Sequence, residues 1–559
     1  MNGKMFKKSE GQLVATSMEG LFLSRLQSHA ENSSKENLDH VRKFFSSQRK
    51  FANYVTHEVT GVSLSVSKPV KLIREFFPVT TICQVECNPF SIPADRFVLD
   101  LLSDSGTGLV MQEQEDLAQV YGDAVPSKGL MFSYAQSTPR GHLDVILKAC
   151  FGAQFNFYPT LQGRAAERML LQAFLASGLL KKADKLLSNR PFDTTYGHIT
   201  AAGLQVSALT PQCCPKRYYE ASSVFIGNID EKLFTGELDS SEMVLITMTD
   251  NGGGGQPVSF ANYKFLVEKT RAQNKLIWVD ACRIFENALF IKAFEPGYED
   301  RTIKDIVQEI LSLADCATMS FKKMYAHSGG AILINKASPF LQDKELEKLD
   351  ALIKMQTTAD YGNGYHSYAG LTGASMVEVM TGLITSVDEA ITGERIAQVG
   401  RVNCYMRQKF PGFPILAGGH ALYIAADEVL PMVPMTNCPA EYLNVIMMHT
   451  IRTRGAGLGH LMYGGRAELP SGKIVFRYKL PLDALRLAIP RNLYSDDELI
   501  SQLSVIGEAF VRGAFRSLKA GLSPIDYIDN GFYHFGAKYN FVDEEEFLNA
   551  VDCLTCTDT

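Results

Sequence analysis

Met243-Val244-Leu245-Ile246-Thr247-Met248, then Asn251-Gly252-Gly253-Gly254-Gly255-Gln256-Pro257, then Leu276-Ile277-Trp278-Val279-Asp280-Ala281-Cys282-Arg283 are the segments on which the fold turns. The first and third are short apolar runs without the alternation of a half-exposed strand, the pattern of strands covered on both faces. The glycine run between them reads as a loop whose backbone must come close to another part of the chain. Residues 260–273 carry a helical pattern, so the order is strand, loop, helix, strand, the βαβ unit of a parallel sheet. Working outward, residues 164–180 read as a helix with apolar periodicity and 331–334 as another strand. A glycine-rich patch follows at 361–373, and a long helix is predicted from Val387 onward.

These patterns divide the 559 residues into a large α/β domain over 110–390, a smaller α+β domain from 71–109 plus 391–559, and an N-terminal extension over 1–70. The extension's polar stretch suits a helix preceded by loose chain, with weak strand-like alternation at 62–70. Residues 421–424 and 474–478 read as strands of the smaller domain. A hydrophobic fraction of 46% and a charged fraction of 21% are those of a soluble globular protein. The net charge of −6 comes without any basic run or basic-aromatic stripe, which argues against nucleic acid and leaves small molecules as the expected ligands. The first twenty residues are too broken by charge and glycine for a secretory segment. No apolar run approaches the roughly 20 residues of a membrane span. Eleven cysteines in so long a chain do not make a disulfide scaffold, and Cys553-x-x-Cys556 lacks the second pair of a zinc site. Free thiols and a cytoplasmic protein are expected.

In parallel α/β sheets ligands gather at the carboxyl ends of the strands, where Asp280 stands. Downstream, Met319-Ser320-Phe321-Lys322-Lys323-Met324 places two lysines in a short polar segment. An acid at a strand end and a lysine beyond it are what pyridoxal phosphate requires: the acid keeps the ring nitrogen protonated and the lysine carries the aldehyde. Each has a plainer alternative, Asp280 as a helix N-cap and the lysines as surface residues. Ser320 suits a phosphate oxygen. Gln162-Gly163-Arg164 opens the periodic helix, whose free N–H groups would cradle a phosphate. In Phe192-Asp193-Thr194-Thr195-x-Gly197-His198, Phe192 would stack on a ring, or be a core residue at a turn around Pro191.

Taken in order, a longer set of motifs resembles the tryptophanase and tyrosine phenol-lyase family, the β-eliminating lyases that use pyridoxal phosphate. The set runs through Ser103-Asp104-Ser105-Gly106-Thr107, Tyr134-Ala135, Pro159-Thr160-x-Gln162-Gly163-Arg164-x-Ala166-Glu167, Phe192 to His198, and Asn251 with Gly254-Gly255-Gln256-Pro257. It continues through Asp280-Ala281-Cys282-Arg283 with Glu286-Asn287, Met319-Ser320-x-Lys322-Lys323, Gly418-Gly419-His420-Ala421, Arg486-Leu487-x-Ile489-Pro490-Arg491 and a patch near His534. The resemblance implies an aspartate-aminotransferase-like fold (fold type I) and a carbon–carbon lyase of amino-acid catabolism. It implies Lys323 as the cofactor-bearing lysine, with Lys322, Gln162, Gly163, Arg164 and Ser320 around the phosphate. Phe192 would stack on the ring, Asp280 would pair with the ring nitrogen, and Asn251 would meet the ring hydroxyl or the substrate carboxylate. Arg283 would lie near the cofactor. Arg486 would clamp the substrate carboxylate, with Ser105 and Thr107 close by. Tyr134 would enter from a neighbouring subunit and help the leaving group depart, which implies a homotetramer of catalytic dimers.

Two positions address the leaving group. Asp193 stands where the tryptophan-cleaving branch has aspartate, and His534 matches a histidine of that branch. The arginine with which phenol-lyases meet the phenol aligns on Ala456 or a glycine beside it. These features lean toward tryptophan, giving indole, pyruvate and ammonia. Elimination from tyrosine, cysteine or an S- or O-substituted amino acid, and an inactive structural or binding protein of the same fold, are the alternatives. Phe132 replaces the glutamate of the family's monovalent-cation site, so any potassium would rest on backbone carbonyls. Phe321, where relatives keep Gly or Ala, is large enough to shift the lysine loop.

Overall fold

The computed structural model describes residues 18–47, 87–105, 112–125, 138–210, 215–341, 343–357, 371–464, 466–468, 474–476, 480, 483–526 and 533–555. At its centre lies a seven-stranded mixed sheet. Its strands are β1 (Phe155–Thr160), β2 (Lys185–Ser188), β3 (Gln205–Ala208), β4 (Met243–Thr247), β5 (Leu276–Asp280), β6 (Cys316–Ser320) and β7 (Gly330–Asn335). The spatial order is β1-β7-β6-β5-β4-β2-β3. β7 runs antiparallel to both neighbours, and every other pair is parallel. All residues of β4, β5, β6 and β7 are buried, which is why these segments read as unbroken apolar runs.

Helices cover this sheet, and local chemistry sets where they begin and end. α1 (Met18–Glu31) and α2 (Lys35–Ser47) occupy the N-terminal region. α3 (Gly163–Ser177) stops before the expected residue 180 because Gly178 turns left-handed at φ 87° and the Leu180 N–H reaches back to the Phe174 carbonyl. α4 (Phe260–Ala272) starts at Ser259, whose hydroxyl accepts from the Asn262 N–H at 3.1 Å. α5 (Ile284–Phe294) follows β5, and α6 (Gly373–Ser386) leads to the long α7 (Glu389–Lys409). The Asp388 carboxylate caps α7 by accepting from the N–H groups of Ala390 and Ile391.

A second sheet has four antiparallel strands, β8 (Ile415–Ala417), β9 (Ala421–Ala425), β10 (Ala456–Leu458) and β11 (Ala484–Ala488), in the order β10-β11-β9-β8. Leu289 of α5, Val379 of α6, Ile424 of β9 and Leu487 of β11 belong to one continuous apolar cluster, so both sheets share a core. Of the strand expected at 474–478, Ile474–Phe476 is described, and among the described residues it pairs only with Arg466–Glu468. The places beside β9 in the four-stranded sheet are taken by β11 and β8. The expectations for 62–70 and 361–370 fall outside the described residues. Among the described residues no helix is long and apolar enough to cross a membrane. The seven described cysteines are all free.

The N-terminal helices are tied to the body by polar contacts as well as by Phe22, Leu26 and Ala30. Asn37 Nδ2 donates to the Ala390 carbonyl at 2.7 Å, and Arg42 Nε to the Ala293 carbonyl at 3.2 Å. His29 bridges two acids, with Nδ1 2.9 Å from Asp388 and Nε2 2.7 Å from Glu113. The hydrogen bond from Asp388, followed by the charge of Glu113, raises the His29 pKa above 6.5 against the opposing effect of burial. Burial works against the Asp388 carboxylate, yet His29 and then Asn32 hold its pKa below 3.8. A raised histidine contributes fully below 6.5 and is lost as pH rises through its folded value; a depressed carboxylate contributes fully above 3.8 and is lost in acid. Hydrogen exchange in α1, corrected for intrinsic rates, should therefore differ most between the native chain and His29→Ala inside the window from 3.8 to 6.5. A difference that is flat across pH, or largest above pH 8, would show that this clasp is not electrostatic.

Candidate active site

The carboxyl ends of β5 and β6, the start of α3 and one face of the second sheet converge on a single buried spot. Lys323 sits in the short 3-10 turn Phe321–Lys323 that follows β6. Its Nζ lies 2.8 Å from Asp104 Oδ1, 2.7 Å from Ser105 Oγ and 3.3 Å from Ser103 Oγ. The side chain is only 9% exposed, so it is not a surface lysine; Lys322 is half-buried beside it. Burial, and after it the neighbouring Arg283, pull the Lys323 amine down to about 8 even though Asp104 opposes them. Phe321 is packed inward from this turn. Its ring is fully buried against Gly329, which at φ 94° leaves 3.0 Å between the ring and an added Cβ.

Asp280 ends β5 fully inside the protein, and its Oδ1 accepts from the Cys282 N–H at 3.2 Å. The N-cap of α5 is Arg283, so the alternative reading of Asp280 as a cap is excluded. Burial raises the Asp280 carboxyl above its ordinary value, while Cys282, Arg283 and Lys323 pull the other way. Such a group is ready to share a proton with a heterocyclic nitrogen. Glu167 of α3 is driven to about 8, by burial first and by the charge of Asp280 second, and it accepts from the Thr194 hydroxyl at 2.9 Å.

The helix start that would cradle a phosphate forms as expected. Gln162 is the N-cap of α3 and makes no side-chain cap bond. A Cβ on Gly163 would lie 2.7 Å from Ser320 Cβ, so only glycine lets the helix terminus meet the end of β6. Arg164 is exposed, with its guanidinium 5.4 Å from the Phe535 ring centroid. Beside it opens a cleft of about 590 Å³ lined by Gln162, Arg164, Arg168, Thr194, His198 and Phe535. Phe192 is half-buried with the Arg486 guanidinium 5.6 Å from its ring, which sets aside the reading of it as a core residue.

Asn251 is buried at the head of the glycine loop. Its Oδ1 meets His420 Nε2 at 3.0 Å, the Tyr423 hydroxyl at 3.0 Å and Arg486 at 3.3 Å. Among the described residues its Nδ2 is buried with no partner, as is Arg486 Nε. Arg486 lies on β11 directly opposite Tyr423 of β9 and Ala456 of β10. Residues opposite one another in an antiparallel ladder share a face. Asp193 opens the helix Asp193–Ala201, and its Oδ2 lies 3.0 Å from His534 Nε2, both side chains being 5% exposed. Burial alone would raise the Asp193 carboxyl, yet His534, then Arg486 and Arg164, hold it below its ordinary value.

These features fit pyridoxal phosphate: a buried acid for the ring nitrogen, an unpaired amide N–H for the ring hydroxyl, a glycine-lined helix start for the phosphate and a buried lysine for the aldehyde. The sequence reading had not singled out Asp104, His420, Tyr423 or Arg491 for a role, although three of them stand inside quoted motifs. Arg283 turns out to be paired with Asp104 through two bonds, Nε at 3.0 Å and Nη2 at 2.7 Å. Thr107, Tyr134 and the cation-site position Phe132 lie outside the described residues.

Fold and site together define a pyridoxal-phosphate-dependent enzyme of the aspartate-aminotransferase-like class, fold type I. The profile of the beta-eliminating lyase family matches residues 100–453. Among curated relatives, the "Tryptophanase" of Hyphomonas neptunium is 33% identical over 420 residues, covering 73% of this chain and 83% of the relative. That of Salinibacter ruber is 33% identical over 441 residues, 77% and 85% of the two chains. The "Probable beta-eliminating lyase" of Trichomonas vaginalis is 31% identical over 420 residues, 74% and 84%. The chain belongs to the beta-eliminating lyase family.

Gly382 of α6 supports the lysine turn from behind: an added Cβ would come within 2.4 Å of the Met324 carbonyl oxygen. Alanine is favoured over glycine in a helix by about 1 kcal/mol, so the clash and the propensity oppose one another. Gly382→Ala should therefore reduce cofactor loading, read from visible absorbance, without raising the melting temperature. A more stable protein with full absorbance would show that the close approach is not needed.

Proposed function

We propose that the chain catalyses β-elimination of L-tryptophan to indole, pyruvate and ammonia, with Lys323 both holding the cofactor and moving the Cα proton. The observation that carries the choice of substrate is the buried Asp193–His534 pair beside Phe192 and Arg486. Ala456 supports it too: on the face of Arg486 it offers a methyl group where a phenol-binding arginine would stand. Relatives that bear the name "Tryptophanase" point the same way.

Bound pyridoxal phosphate supplies the electron sink for the pair left when the Cα–H bond breaks. Gln162, Gly163, Arg164 and Ser320, with Lys322 nearby, hold its phosphate. Phe192 covers the ring, and Asp280 keeps the ring nitrogen protonated. Asn251 Nδ2 and the free Nε of Arg486 receive the ring hydroxyl and the substrate carboxylate. Ser105 lies beside the Lys323 amine, Thr107 would help to bind the substrate, and Arg283 braces the site through Asp104. Lys323 Nζ, when free of the cofactor, would take the Cα proton; an amine at about 8 is neutral often enough near neutral pH to do so. Because Asp193 is held ionised, it accepts from His534 and fixes that ring. Tyr134, with His534 held in place by Asp193, would deliver a proton to the indole carbon at the point of attachment. A carbon leaving group needs this second acid, whereas a thiolate leaves without it. The role of Tyr134 requires a neighbouring subunit, which makes the working protein a homotetramer of catalytic dimers. The free thiols among the described residues suit the cytoplasm, and with Phe132 in place of a carboxylate, any potassium would rest on backbone carbonyls.

Incubation with tryptophan should release indole and pyruvate in equal amounts. Pyruvate formed from cysteine or an S-substituted cysteine but not from tryptophan would replace the proposed substrate. Lys323→Ala should abolish both turnover and the visible absorbance of the bound cofactor. Survival of that absorbance would move the cofactor to another residue. Asp193→Asn should slow indole release by about 100-fold or more, the usual worth of a general acid, while elimination of a thiol falls far less. Equal losses on the two substrates would remove Asp193 from leaving-group chemistry.

A further inference from the structure

Within the motif Ser103-Asp104-Ser105, functional expectation fell on Ser105, yet Asp104 is the carboxylate around which the site's cations gather. It is 1% exposed and bonded to Arg283 through both oxygens, at 3.0 and 2.7 Å. Its Oδ1 also meets Lys323 Nζ at 2.8 Å, and Arg491 approaches Oδ2 to 3.6 Å while donating to the Asp104 carbonyl at 3.1 Å. Among the described residues no other carboxylate bonds the Lys323 amine.

The surroundings of that amine are otherwise hostile to a second positive charge. Arg283 stands at the start of α5, Arg491 in the loop after β11, and His420 between β8 and β9, all facing Asp104. Glu286 is engaged with Arg491, and Asp280 faces Lys323 from the end of β5 without a bond to it. Arg283 and Arg491 disfavour an ammonium at Lys323, and Asp104 favours one. An ammonium formed here without Asp104 would be a buried, unpaired charge.

We propose that Asp104 is the positioning residue that receives the Lys323 ammonium once the lysine is free of the cofactor and has taken the substrate's Cα proton. In that step the Cα–H bond breaks and an N–H bond forms on Nζ. The electron pair stays with the substrate carbon and is drawn toward the cofactor, and the new positive charge on Nζ is met by the Asp104 carboxylate. Arg283 keeps Asp104 ionised and aimed at Nζ in every state. The inference rests on Lys323 being the cofactor-bearing lysine, and it deepens that reading.

The test uses Asp104→Asn, which preserves shape and removes charge, and the double variant Asp104→Asn/Arg283→Gln, which also avoids leaving Arg283 unpaired. The first readout needs no turnover. Cyanate modification of Lys323 in the cofactor-free full-length chain, resolved from Lys322 by tandem mass spectrometry, reports the pH at which the amine becomes neutral. Its midpoint should fall by about one pH unit or more in Asp104→Asn, the size expected on losing an adjacent opposite charge, and by less in the double variant, which also removes the opposing charge of Arg283. The second readout is exchange of the substrate Cα hydrogen with deuterated solvent by cofactor-loaded protein, which should slow by about ten-fold or more, the worth of a charge-assisted hydrogen bond. Unchanged midpoint and unchanged exchange in Asp104→Asn overturn the role of Asp104, and exchange at the native rate in the double variant does so as well. If instead Lys323→Ala keeps the cofactor's absorbance, it is the reading of Lys323 that fails, whatever the Asp104 variants do.

Discussion

Three cations, Arg283, Lys323 and Arg491, surround one buried carboxylate, and the strap that carries it joins the two sheets. Leu99 and Asp100 pair in parallel with Thr453 and Arg454. The carbonyl of Leu101 then accepts from Ala488, that of Leu102 from Arg486, and that of Asp104 from Arg491. The strap is thereby fastened by its backbone to the four-stranded sheet, while the Asp104 side chain reaches Arg283 and Lys323 beside the seven-stranded one. Removing one member of a buried charge group typically costs about 3–5 kcal/mol because the others lose their partner. The lysine, the end of β5 and the substrate-side arginine Arg486 therefore hold their positions only when both sheets are in place.

A steric constraint works beside this electrostatic one. The glycine loop after β4 and the Gly418-Gly419-His420 turn of the second sheet touch backbone to backbone: the Gly419 N–H donates to the Gly255 carbonyl at 2.8 Å. A Cβ on Gly418 would lie 2.6 Å from the Gly254 carbonyl oxygen, and Gly255 sits at φ 69° with the Tyr423 hydroxyl 2.9 Å from where its Cβ would be. No side chain fits between these segments. The contact delivers His420 and Tyr423 from beside one sheet to Asn251 beside the other, so the amide is oriented by residues of a different sheet. With Oδ1 occupied three times over, Nδ2 is left to face a ligand.

Much of the seven-stranded sheet was legible in the chain because its central strands are buried on both faces, and such strands must be apolar throughout. Helix starts were legible where a hydroxyl or a carboxylate caps them, as Ser259 and Asp388 do. The N-terminal region was less legible. Its helices are held by His29, Asn32 and Asn37 bonding to partners more than 80 residues away as well as by buried apolar residues of the first helix. The strand at 474–476 showed its local character but not its partner, because pairing is decided by which neighbour fills the adjoining edge.

The amino-acid order by itself determined the strand–loop–helix–strand frame, the acid at the end of β5, the lysine after β6 and the glycine at the start of α3, because each depends on neighbours a few residues away. Tertiary structure alone decided that Asp104 meets Arg283 and Lys323 across separations of 179 and 219 residues, and that Asp193 meets His534 across 341. It also decided that Asp280 is not a cap and that Phe192 is not a core residue. The physical reason is the same in each case. A charge or a polar group is cheap to place anywhere in an extended chain, and its role is set only when folding removes water and leaves it one partner.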